Sequence, residues 1–163
     1  MNRANLVKRV GVVFVALAFI IALMPNVDAA PQYRSKMNVL FNPDFIHGEP
    51  IWVGTISGDI DGTMKFWATG PDPAKDIGHP PTFPWQVHFF TEYWEITTKD
   101  GWIYGIDKGN TGFSNWRFRM NGEVVDAGGI YADLVGHQVH MNGQIDWTEV
   151  FVSGTAVGPV IIT

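Results

Sequence analysis

The stretch Trp85–Thr98, WQVHFFTEYWEITT, decides how the chain is read. It is rich in aromatic and β-branched residues and holds no Gly or Pro. Lys99-Asp100-Gly101 closes it. That pattern predicts one long β-strand ending in a tight hairpin turn. Side chains alternate along a strand, so one face carries Trp85, Val87, Phe89, Thr91, Tyr93, Glu95 and Thr97. The other carries Gln86, His88, Phe90, Glu92, Trp94, Ile96 and Thr98. Neither face is plainly polar, so a fold that covers both at least in part is expected. Each face also places one glutamate among aromatics, and the alternation alone does not say which face is inside.

Working outward, the chain reads as a series of short strands punctuated by turn residues. Residues 31–50, with Pro31, Pro43 and Pro50, read as an irregular arm in which Met37–Phe41 could pair as a short strand. Ile51–Ile56 is the first firm strand, and Thr63–Thr69 alternates cleanly between apolar and polar. Between them Asp59, Asp61 and Gly62 mark a bend. They lack the run of oxygen ligands and the closing Glu of a calcium loop. The segment 70–84, GPDPAKDIGHPPTFP, is the one long loop, and its five prolines suit an ordered lid or binding loop. Beyond Thr98, strands are expected at Trp102–Asp107, Phe113–Met120, Glu123–Ala127, within Ile130–Met141, at Ile145–Val152 and in Thr155–Thr163. Turns are expected at Lys108–Gly112, Asn121-Gly122, Asn142-Gly143 and Ser153-Gly154. No segment reads as a helix of ten or more residues.

About eight strands with short turns predict an all-β chain: an antiparallel barrel of about eight strands, with a two-sheet β-sandwich as the alternative. The length of the 85–98 strand favours the barrel. The domain reading is a leader at 1–29, an N-terminal arm at 30–50, and a single barrel domain at 51–163 carrying the proline-rich loop 70–84.

The leader is read from Arg3, Lys8 and Arg9, then the apolar run Val10–Met24, then Val27-Asp28-Ala29-Ala30. This is the layout of a secretory signal peptide, with cleavage expected after Ala29. The apolar run is shorter than the ~20 residues that span a bilayer. A secreted or periplasmic protein is therefore expected. Removing residues 1–29 takes away those three basic residues and Asp28, leaving 8 Lys and Arg against 15 Asp and Glu. So acidic a domain argues against nucleic acid or an anionic membrane surface as partner. The chain has no cysteine, which excludes disulfides, thiol nucleophiles and cysteine-ligated metals.

Trp52-Val53-Gly54-Thr55-Ile56-Ser57-Gly58, the Gly62–Gly70 strand and Gly154-Thr155-Ala156-Val157-Gly158 resemble the glycine-punctuated meander of the allene oxide cyclase and dirigent superfamily. The resemblance implies an eight-stranded antiparallel barrel, often oligomeric. It also implies an apolar cavity that binds or steers a hydrophobic small molecule, in some members as a cyclase. No catalytic residue of that family maps onto a position here.

Chemistry narrows to a few side chains. A carboxylate held among Phe90, Trp94 and Ile96 would have a raised pKa and could act as an acid or base. The alternative is a carboxylate paired with Arg117 or Arg119 of a neighbouring strand. Candidate catalytic residues are accordingly Glu92, His88 and Arg117, and candidate ligand-binding residues are Trp85, Tyr93, Trp94, Glu95 and Trp116. No metal or cofactor is expected. His137 and His140 are three apart and face opposite sides of a strand, so metal ligation would need His88 to join one of them from another strand. The expected partner is a small hydrophobic or aromatic-stacking molecule held in the barrel. The alternatives are a cyclase- or isomerase-like enzyme using a barrel carboxylate, and a structural homo-oligomer.

Overall fold

The computed structural model describes residues 32–68 and 87–163, within the compact unit Pro31–Thr163. The expected leader, the proline-rich loop and Trp85 lie outside the described residues. Eight antiparallel strands close into a barrel in simple chain order. They are β1 Tyr33–Phe41, β2 Trp52–Gly58, β3 Gly62–Ala68, β4 Val87–Thr97, β5 Gly101–Gly112, β6 Arg117–Gly129, β7 Gln138–Glu149 and β8 Ser153–Ile162. The sandwich alternative falls because β1 pairs with β8 as well as with β2, leaving no open edge. Two short 3-10 turns, Pro43–His47 and Ala132–Leu134, are the helical elements among the described residues, and no helix there is long and apolar enough to cross a membrane.

The arm expected at 30–50 is corrected in its first part. Tyr33–Phe41 is a full stave whose residues alternate inward and outward, with Ser35, Met37, Val39 and Phe41 buried. The Asp59–Asp61 bend is a turn, as expected. Asp59 accepts from the Arg34 amide at 2.8 Å and Asp61 from the Gly58 amide at 3.0 Å. No cluster of three or more metal-ligating side chains forms among the described residues.

Four expected turns do not turn. Lys108–Gly112 continues β5, Asn121-Gly122 lies inside β6, Asn142-Gly143 lies inside β7, and Ser153-Gly154 opens β8. The glycines answer a packing need of the barrel. A Cβ on Gly122 would collide with the Ile106 carbonyl and the Asp107 backbone, and one on Gly143 with the Val157 carbonyl and the Phe118 ring. The actual connections are 113–116, 130–137 and 150–152.

The barrel interior is filled by Met37, Val39, Ile56, Met64, Phe66, Trp94, Ile96, Ile103, Met120, Val124, Val139, Met141, Val160 and Ile162. Inward positions recur at every second residue of each stave, as closure demands. β6 carries one bulge: Gly105 pairs with Val124 and Tyr104 with Asp126, leaving Val125 over.

Candidate functional site

The orientation of β4 is settled by its neighbour. On β5 the inward positions are Ile103, Gly105, Asp107, Gly109 and Thr111. Two of these are bare, and the large side chains of β4 lie over them. A Cβ on Gly105 would run into the Trp94 indole, and one on Gly109 would meet the Phe90 ring at 2.7 Å. The inner face of β4 is therefore His88, Phe90, Glu92, Trp94 and Ile96. The outer face is Val87, Phe89, Tyr93, Glu95 and Thr97, and that face is open: Phe89 is 72% exposed.

Glu92 pairs directly with Asp107 across the β4–β5 ladder. Both point inward, with Glu92 7% and Asp107 2% exposed. Directly opposed partners in an antiparallel pair have Cβ atoms about 5 Å apart, so the two carboxyl groups share one space. Asp107 in turn faces Gly122 on β6, which adds no side chain. Neither carboxylate oxygen of Asp107 has a hydrogen-bond partner. Burial, and next the charge of Asp107, hold Glu92 well above the ordinary carboxylate range. Burial pushes Asp107 up to about 7. Two acids so placed titrate as a pair, and at neutral pH the pair retains a proton.

A chain of aromatic rings leads from these acids to one end of the barrel, termed the aromatic end. It starts with Phe90, stacked on His88 at 6.0 Å, and His88 lies 6.2 Å from Phe113. Phe113 meets Trp116 at 5.0 Å, and Trp116 meets Trp147 at 5.7 Å and Phe151 at 6.0 Å. Trp147 reaches Phe41 at 5.1 Å and Trp52 at 5.6 Å, and Phe41 meets Phe45 at 5.7 Å. Trp116 and Phe151 each sit in a turn with left-handed φ, 53° and 60°. Such strain in non-glycine residues concentrates where a fold must hold particular side chains in place.

The expected site residues divide on this geometry. His88, Glu92 and Trp94 share the inner face of β4, and Trp116 stands at the aromatic end. Arg117 does not join them: it and Arg119 are exposed on the outer face of β6, because Phe118 and Met120 take the inward positions. The expected pairing of Glu92 with either arginine is thereby overturned. Tyr93 lies outside, stacked on Tyr104 at 5.8 Å. Glu95 also lies outside and accepts from Thr97 Oγ1 at 2.7 Å. His88, His137 and His140 do not gather. His88 faces inward near the aromatic end, whereas His140 bonds Asn121 at 2.7 Å on the outside and His137 closes the 130–137 connection at the opposite end.

Asp107 is the residue that sequence reasoning missed. Reading Lys108–Gly112 as a turn ended the strand beside it and hid its inward parity. The alternation Ile103, Gly105, Asp107, Gly109, Thr111 was the available signal.

The fold and site define a closed eight-stranded antiparallel barrel with an acid pair inside and an aromatic rim at one end. Comparison with family models, with curated proteins and with solved structures finds no match to this chain.

Proposed function

We propose that the protein is a secreted or periplasmic binding barrel. It takes a small hydrophobic or aromatic-stacking molecule at the aromatic end, with the Glu92–Asp107 pair as polar anchor. The observation that carries this reading is Asp107, a buried carboxylate whose two oxygens have no partner. Burying an unpaired acid is costly, and a fold that needed only a packed interior would hold an apolar residue there. The aromatic rings between the pair and the barrel rim supply the apolar walls expected of a small-molecule site. Native mass spectrometry of protein expressed from the full chain, with tryptophan quenching by a panel of aromatic compounds, tests it. A retained small-molecule mass or saturable quenching is expected. Neither appearing would remove the reading.

A cyclase- or isomerase-like activity is the second reading, favoured by one observation: two buried carboxyl groups face each other across the β4–β5 ladder, and burial raises both. One member of the pair would donate a proton to a bound substrate and the other would withdraw one, as an isomerisation requires. The resemblance to the allene oxide cyclase and dirigent barrels agrees with it. Glu92→Gln should then abolish turnover while binding persists.

A further inference from the structure

We infer that the Glu92–Asp107 pair recognises a small aromatic amine bound as its ammonium ion. The inference rests on the binding reading above and names its ligand class. Among the described residues no lysine or arginine reaches the pair. The described lysines and arginines, Arg34, Lys36, Lys65, Lys99, Lys108, Arg117 and Arg119, all lie outside the interior, and none is buried. The inner face of β5 around Asp107 offers no donor, since Gly105 and Gly109 flank it and Gly122 stands opposite. No described lysine or arginine supplies positive charge to the pair, and a cationic ligand would.

A metal ion is the poorer fit. Calcium takes six to eight oxygen ligands and magnesium a near-octahedral set. Among the described residues no third His, Cys, Asp or Glu joins the pair. An ammonium group carries three donors and needs no such cage; two facing carboxyl groups accept from it. The rings of Phe90 and Trp94 flank Glu92 along β4, where they can present π faces to a cation and an apolar wall to its aromatic body. Phe90 is the layer between the acids and the aromatic end. Phe90 and Met120 together lie over the bare Gly109, so both side chains must shift to uncover the inner face of β5 up to Asp107.

Binding an ammonium ion favours both carboxylates and expels the proton the pair holds. The groups facing the pair from the packed staves do not compete for that proton. β3 presents Phe66 and β6 presents Met120, Gly122 and Val124, and the other buried polar side chains among the described residues, Ser35 and Thr111, carry only hydroxyl groups. The other titratable group on this inner face is His88, four residues nearer the rim on β4. Affinity for the amine should therefore rise by up to about tenfold per pH unit from pH 6 to 8, one proton being released per ligand.

Two probes of one shape test this: 2-naphthylmethylamine and 2-naphthylmethanol, titrated calorimetrically into protein expressed from the full chain, at pH 6 and 8. Two buffers of different ionisation heat report the proton. The amine is expected to bind about 10- to 100-fold more tightly than the alcohol at pH 8. Asp107→Asn and Glu92→Gln should each shrink that ratio, because the charged ammonium loses more from either change than the neutral hydroxyl does. Equal binding of the two probes, or a preference that survives both substitutions, overturns the amine inference and leaves the binding reading standing. Failure of both probes to bind overturns the amine inference and counts against the binding reading as well.

Discussion

Glu92 and Asp107 face each other across the β4–β5 ladder with no basic side chain between them. In most buried carboxylate sites a cation or several donors stabilise the charge. Here the two acids raise each other's cost of ionisation, and the consequences are measurable without knowing the ligand.

Stability should fall as pH rises from about 4 to 7. Asp107 is raised from its ordinary 3.8 to about 7, so the folded state binds the proton more tightly than the unfolded chain. The cost is absent below the unfolded value, grows as pH climbs between the two, and levels off above the folded one. Three pH units correspond to on the order of 4 kcal/mol as an upper bound. The raised Glu92 adds to it in the same direction. Urea unfolding of wild type and Asp107→Asn across this range checks it; the difference between them should grow in favour of the variant. A wild-type curve that rises toward pH 7 relative to Asp107→Asn would contradict the placement of the pair.

Glu92→Gln should be neutral or stabilising at pH 8. Had Glu92 been held by an arginine, removing it would cost about 3–5 kcal/mol by stranding the partner. The midpoint of chemical denaturation separates the two outcomes. A loss of that size would require a cation at Glu92.

Gly105→Ala should destabilise the barrel by about 1–3 kcal/mol, as overpacking does. The new methyl meets the fully buried Trp94 indole, which has no free side to retreat to. Thermal unfolding reads the cost, and a changed tryptophan emission reads the displaced ring. Unchanged stability together with unchanged emission would mean that Trp94 does not lie over Gly105.

Phe151 combines left-handed backbone with ring contacts to Trp147, Phe113 and Trp116. Phe151→Ala loses the rings and keeps the strain, whereas Phe151→Gly loses both. The glycine variant should therefore be the more stable of the two by about 1 kcal/mol. Equal denaturation midpoints would mean that the turn holds no such strain.

The expected leader makes a plain prediction of its own. Protein exported by a host should begin at Ala30, and intact mass reads the missing 29 residues. Retention of residues 1–29 after export would count against the secreted reading.

The barrel was legible from the period-two pattern of 85–98 and the short strands around it, because closure imposes alternation on every stave. The inner face of β4 was not, since aromatic rings occur on both of its faces. Only the glycines of β5 break that tie, and they do so across the ladder, where spacing along one strand carries no information. The Asn-Gly pairs misled for a related reason. Asn-Gly favours a turn when nothing crowds it, but Gly122 and Gly143 stand where a neighbouring backbone or ring presses against the stave. Half of the candidate site was visible as Glu92 among aromatics. The other half, Asp107, was hidden by reading a glycine-rich stave as a turn.

The ladder between β1 and β8 sets the timing of folding. Tyr33 pairs with Ile162, residues 129 positions apart, while every other ladder joins consecutive strands. Seven hairpin-like ladders can form as the chain lengthens, but the first stave waits for the last. Until then the free edge of β1 and that of the latest strand to pair are exposed, open to pairing with another chain. Closure should be the slow step of folding, and the nascent protein is most at risk of aggregation in the interval before β8 arrives.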